Sequence, residues 1–307
     1  MSGTDNIKYL SNQQIDKKKW DQGIEQAPNG LIYAYSFYLD TMAKNWDALV
    51  LGDYDIVMPL TWNRKYGIKY LYQPFLTAQL GVFGKGVTEY NRDKFFEAIP
   101  SSFRYIDISL NSETIMSSPS GFDMLRSNYT LDLSKEYKEL YSKYNENIQR
   151  NLKKALQAGC ILQKGFAAEK VIELAIAQMK GYGKESKENV DRFRNLYRLL
   201  HEKQMATTYG IADKEGKLLS SCVFFFSHNR AYYILVGNDP ESRDAGASHA
   251  LIDAFIKDHA GQNIIFDFEG SDMPGLAAFY RGFGAVHEPY PHLRINRLPF
   301  FLRWLKK

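Results

Sequence analysis

Val236-Gly237-Asn238-Asp239-Pro240-Glu241-Ser242-Arg243-Asp244-Ala245-Gly246-Ala247-Ser248 is the stretch on which the fold reading turns. An apolar run from Ala231 feeds a polar, glycine-containing loop, and the loop feeds a helix over residues 249–258. Strand, loop and helix in that order argue for an α/β class. A helix N-terminus approached through glycine is a natural pyrophosphate cradle, because unpaired N–H groups converge there. An ordinary strand–helix connection also contains a glycine, so the stretch alone leaves both readings open.

Working outward, Ile264-Ile265-Phe266-Asp267-Phe268-Glu269-Gly270-Ser271 reads as a strand ending in polar residues. Asp267 and Glu269 alternate with phenylalanines, which predicts both carboxylates on one face. A carboxylate at a strand end in a cleft can orient or deprotonate an attacking amine, which must be neutral to attack. The plainer role is an ion pair with Arg243 or Arg281. Upstream, the spacing predicts one long helix over 135–158, stopped by Gly159 as a left-handed cap. Tyr144, Ile148, Leu152 and Ala155 share its apolar face. Lys143, Asn147, Arg150 and Lys154 share the other, either a solvated face or an anion-binding surface.

These residues carry a resemblance. Arg243-x-x-Gly246-x-Ser248 resembles the pyrophosphate loop of the GNAT (N-acetyltransferase) superfamily, with Ser248 where that family has Gly or Ala. Ala277-x-x-Tyr280-x-x-x-Gly284 resembles its later helix, whose Tyr protonates the departing thiolate of coenzyme A. Tyr144–Gly159 is similar to a helix of the FemAB-like acyltransferases, which carry two tandem GNAT folds. Their best-known members add amino acids from aminoacyl-tRNA to peptidoglycan precursors.

The resemblance implies an α/β protein with two tandem GNAT-like domains, each a mixed, largely antiparallel sheet flanked by helices. The N-terminal, degenerate domain is expected over 1–130 and the C-terminal domain, carrying the chemistry, over 131–307. It implies an acyl-CoA such as acetyl-CoA as co-substrate, held by Val236, Gly237, Asn238, Arg243, Gly246, Ala247 and Ser248. Tyr280 is the expected acid, and a backbone N–H within 234–237 the expected partner of the acyl carbonyl. Glu269 and Asp267 complete the candidate catalytic set.

The chain of 307 residues is long enough for two domains. A composition 45% hydrophobic and 24% charged is that of a globular protein, with 21 Tyr and 19 Phe enriching half-buried surfaces. The net charge of +4 suits an anionic ligand without pointing to nucleic acid. Two distant cysteines, Cys160 and Cys222, and six histidines without metal-ligand spacing argue against a disulfide framework or a metal enzyme. The first thirty residues lack the apolar core of a signal peptide, and no stretch approaches the ~20 apolar residues of a membrane span. A cytoplasmic protein is the expectation. The aromatic, basic segment 298–307 either packs on the domain or touches a membrane surface.

In the N-terminal half, strands are expected over 46–52, 55–63, 69–76, 80–83 and 105–110, with a helix over 91–99. Residues 111–121 read as a loop. In the C-terminal half, helices are expected over 168–180 and 188–203, with Gly181 and Gly183 between them. An antiparallel meander follows over 206–236, and a last extended region over 286–295. The favoured function is acyl transfer from acyl-CoA to a small-molecule or peptide amine. The rivals are aminoacyl transfer from tRNA to a peptidoglycan precursor, not favoured because basic residues are few, and a non-catalytic GNAT-like binding protein.

Overall fold

The computed structural model describes residues 6–114, 124–179, 186–270 and 272–300. Packing divides the chain into two compact units, Met1–Arg126 with Pro289–Lys307, and Ser127–Glu288.

The first unit contains β1 (Lys8–Leu10), α1 (Lys17–Gln26), α2 (Ser36–Met42), β2 (Asn45–Leu51), β3 (Ile56–Lys65), β4 (Ile68–Tyr72), β5 (Phe83–Gly84), α3 (Glu89–Glu97), β6 (Phe103–Ser109) and β7 (Met124–Arg126). Asp16 starts α1 by accepting the N–H groups of Lys18 and Lys19, and the helix buries Trp20 and Ile24. Strands β2 and β3 are buried on both faces over 46–50 and 56–61, which is why they read as continuous apolar runs. β4 and β6 pair in parallel, joined by a crossover containing α3.

The second unit contains β8 (Tyr129–Asp132), α4 (Tyr137–Ser142), α5 (Glu146–Ala158), β9 (Ile161–Lys164), α6 (Ala168–Met179), α7 (Lys187–Glu202), β10 (Ala206–Ala212), β11 (Leu218–Ser227), β12 (Arg230–Asn238), α8 (Ser242–Ala245), α9 (Ala247–His259), β13 (Ile265–Asp267), α10 (Pro274–Gly282) and β14 (Val286–His287). Its sheet runs β14-β8-β13-β12-β11-β10-β9, antiparallel except for the β12–β13 pair. An aromatic core locks α9 onto the sheet: Phe224 stacks on Phe255 at 3.8 Å, with Phe266 at 4.8 Å from Phe255. Such ring pairs are worth about 0.5–1.5 kcal/mol each beyond burial. The last strand, β15 (Tyr290–Asn296), pairs with β6 and β7 in the sheet of the first unit.

Both units are therefore mixed, mostly antiparallel sheets with helices. Several local expectations are corrected. The single helix over 135–158 is two, because the Asn145 side chain caps Ile148 N–H and the Asn145 N–H turns to Gly282 O at 2.9 Å. The strand over 69–76 ends at Tyr72, before Pro74 and the positive φ of Leu76, and Leu80 keeps only an isolated bridge to Leu110. The loop over 237–248 contains the one-turn helix α8. Gly181, Gly183, Ser271, part of the 111–121 loop and residues 301–307 of the aromatic tail lie outside the described residues.

Candidate acyl-transfer site

Strand β12 is longer than its parallel neighbour. Arg230, Ala231 and Tyr232 pair with β13, and β13 then ends at Asp267 while β12 runs on to Asn238. A bulge makes the divergence local. Val223 faces Leu235 and Phe224 faces Tyr233, so Ile234 is an extra residue on β12 that bends the strand. The result is a wedge between β12 and α10.

Beyond the bulge, the edge that β12 turns to the wedge can be read from its hydrogen bonds. Asp239 N–H bonds Leu219 O on the β11 side at 2.8 Å. Alternation then turns the N–H groups of Asn238 and Val236 the other way. That of Asn238 is taken by Gln178 Oε1 of α6 at 2.8 Å, which leaves Val236 presenting its N–H to the opening.

A cavity of about 450 Å³ fills this wedge. Of the sequence-predicted residues, Val236, Asn238, Arg243, Ser248 and Tyr280 line it, together with Tyr233 and His249. Gly237, Gly246, Ala247, Asp267 and Glu269 do not.

Tyr280 is 5% exposed and stacks on Phe268 at 4.5 Å. Burial, reinforced by the charges of Glu269 and Asp267, raises its pKa well above the usual phenol value, so it stays a proton donor. Ser248 is held by Asn238 Oδ1 at 2.8 Å and Ser242 Oγ at 3.0 Å, while Ser220 donates to Asn238 Oδ1 at 2.7 Å. Two hydroxyls, with Ser242 behind Ser248, thus fix the Asn238 amide at the wedge wall, a network that sequence reading missed because its members lie on four separate elements.

The two glycines have packing reasons. A Cβ on Gly237 would lie 2.6 Å from Ala175 N of α6, and one on Gly246 would lie 2.4 Å from Asn151 O of α5. Around Gly246 the turn is self-satisfied. Ser242 N–H bonds Asp239 O, those of Asp244 and Ala245 bond Glu241 O, and that of Gly246 bonds Arg243 O. Asp239 also accepts Glu241 N–H at 3.0 Å, and this bond, aided by Lys217, pulls its carboxyl below the usual range. A carboxylate thus sits at the head of the turn, where the Ser242, Asp244, Ala245 and Gly246 N–H groups are already bonded. The exposed Arg243 guanidinium is the group of this segment that suits a phosphate.

The carboxylates separate. Asp267 is 2% exposed and paired to Arg230 at 2.5 Å, with Glu288 holding the same guanidinium at 3.1 Å. Its partner is therefore Arg230, one strand away, and not Arg243 or Arg281. Glu269 has φ 64°, so the strand alternation stops before it and the shared face does not form. Its N–H donates to Asp267 Oδ1 at 2.8 Å.

His249 lies in the first turn of α9. Its ring meets Phe279 at 4.9 Å and 85°, and its Nε2 is buried without a hydrogen-bond partner. Burial first, then the charge of Lys154, pull its pKa down to about 4. Arg150 and Lys154 on α5 are exposed, as is Lys143, which caps α4 and so lies off the single helix face expected from sequence; none has an ion pair among the described residues. No metal-binding group of His, Cys, Asp and Glu occurs among the described residues. No described helix is long and apolar enough to cross a membrane.

Residues 142–279 match the family model described as an acetyltransferase (GNAT) domain. The fold is similar to the crystal structure of FemX, with a TM-score of 0.64 at 14% identity, covering 97% of this chain and 99% of that one. A conserved protein of unknown function from Bacteroides thetaiotaomicron is similar at TM-score 0.60 and 11% identity, over 94% of this chain and 99% of that one. L-PGS from Bacillus licheniformis is similar at TM-score 0.51 and 11% identity, over 85% and 87%. No curated protein matches the chain. Residues 142–279 thus resemble a GNAT domain, and the chain as a whole shares the fold of FemX, two mixed sheets flanked by helices.

Proposed function

We propose that the second unit transfers an acyl group to an amine within the β12–α10 wedge, with an acyl thioester of the coenzyme A type as donor. The observation that carries this reading is that the open N–H edge at Val236 and the Tyr280 side chain belong to one cavity. The Val236 N–H is aimed where the carbonyl oxygen gains charge as the amine attacks, and one such donor is worth roughly 3–4 kcal/mol of transition-state stabilisation. Tyr280, protonated at neutral pH, supplies the proton to the departing sulfur. Arg243 and Lys154 are the cations available to the donor's phosphates.

A second reading, an aminoacyl-tRNA donor, is favoured by the exposed cations Arg150 and Lys154 on α5, with Lys143 just before it, and by the bonds that already take the Ser242, Asp244, Ala245 and Gly246 N–H groups. The two carry the same carbonyl chemistry and differ in the anion outside the wedge.

Thermal-shift titrations with acetyl-CoA, longer acyl-CoAs and aminoacyl-tRNA, followed by transfer assays with a panel of primary amines, test both. Stabilisation by acyl-CoA with amine-dependent thiol release is the expected result. Stabilisation by aminoacyl-tRNA alone transfers the reading to the second donor. Absence of both ends the enzymatic reading in favour of a binding protein.

A further inference from the structure

Among the described residues, five side-chain atoms are buried without a hydrogen-bond partner, and only His249 Nε2 belongs to a residue that lines the wedge. The ring sits perpendicular to Phe279 at 4.9 Å, with Phe283 at 6.4 Å. Among phenyl rings an N–H finds their electron-rich faces, whereas a bare lone pair there is repelled. The proton of the neutral ring therefore belongs on Nε2. Nδ1, which is not among the sealed atoms, is then the bare acceptor of a ring that lines the cavity.

We propose that His249, through Nδ1, takes the proton that the amine gives up as it attacks the acyl carbon. The proposal rests on the acyl-transfer reading of the wedge. As the N–C bond forms, the nitrogen becomes cationic beside a carbon bearing an oxyanion, which makes its proton far more acidic than that of a free alkylammonium. That proton passes to Nδ1, the C–S bond breaks, and Tyr280 gives its own proton to the sulfur. The imidazolium then releases its proton to water while the phenolate regains one. The net change moves one hydrogen from amine to thiol, and no further reactant is needed.

The surroundings suit a neutral acceptor. Burial, helped by the charge of Lys154 on α5, pulls the pKa down to about 4, so the imidazole is uncharged in the neutral range. α10 presents Phe279, Phe283, Leu276 and Tyr280, and β12 presents Tyr233, Val236 and Asn238. The charged side chains of the α8 turn that share the cavity are Asp239 and Arg243. An uncharged imidazole keeps a lone pair free to accept the proton of the adduct.

The test has two readouts on the full chain. Histidine-labelled ¹⁵N NMR at pH 7 is expected to place the His249 proton on Nε2, and Lys154→Met to raise its titration midpoint. A proton on Nδ1 overturns the proposal whatever the activity. With the donor and amine found by the transfer assays, His249→Asn keeps a hydrogen-bond acceptor but cannot take a proton. Its kcat is expected to fall about 100-fold with KM for the amine within about twofold, whereas His249→Phe raises KM as well. Melting curves confirm the fold, with His249→Gln as the alternative variant. Full kcat in His249→Asn sinks the proposal while leaving the acyl-transfer reading intact. A wild-type chain that transfers to no amine sinks both.

Discussion

Gly246 and Asn151 approach so closely that a Cβ on the glycine would lie 2.4 Å from the asparagine's carbonyl oxygen. Gly246 also has φ 69°, in the left-handed region. Two penalties, steric and conformational, therefore converge on one position that packs α9 against α5. Gly246→Ala is expected to lower unfolding stability by about 2–4 kcal/mol, from roughly 1–2 kcal/mol of left-handed strain plus backbone displacement. Urea denaturation measures it. A loss below about 0.5 kcal/mol would show that α5 gives way freely and that the glycine has another reason.

Tyr280→Phe separates ring from hydroxyl. The ring stacks on Phe268 at 4.5 Å and survives the change, so stability should move by less than about 1 kcal/mol. Turnover should fall at least about tenfold, because the leaving sulfur loses its proton donor. Steady-state kinetics with the donor identified by thermal shift decide it, and an unaltered kcat removes Tyr280 from the chemistry.

Asp267→Asn should behave in the opposite way. The carboxylate is buried and bonded to Arg230, while Glu288 still holds that guanidinium after the change. The expected loss is about 1–3 kcal/mol of stability, less than the ~3–5 kcal/mol for stranding a buried charge with no partner left. Turnover at a temperature well below the melt should be nearly wild type. A large kcat defect in a fully folded variant would return Asp267 to the catalytic set.

Acid should weaken the second unit in part through His249. Its folded pKa, pulled to about 4 by burial and Lys154, lies below the ordinary 6.5. Between those values the unfolded chain binds the proton and the folded chain does not, so stability rises with pH across that window and is fully present above it. Melting temperatures between pH 4 and 6.5 should therefore fall less steeply for His249→Asn than for wild type. Parallel slopes would mean that the imidazole titrates normally in the folded state.

The sequence by itself determined the local features. Gly159, at φ 72°, ends α5 where the helical pattern stops, because a left-handed cap is a property of one residue and its neighbours. The alternation of β10, β11 and β12 and the α/β class were legible for the same reason. The residues converging on the wedge from β12, the α8 turn and α10 were legible as a set only through the resemblance. Tertiary structure alone decided the rest, because each case depends on partners far apart in the chain. Arg230 claims Asp267 across a parallel pair whose register no local pattern encodes. Gly237 and Gly246 are required by α6 and α5 crossing over them. The strand β15 joins β6, some 180 residues earlier by chain position, since hydrogen-bonded sheet edges recognise geometry and not sequence distance. His249 acquires its low pKa only when α5 brings Lys154 to it and α10 closes Phe279 over its ring.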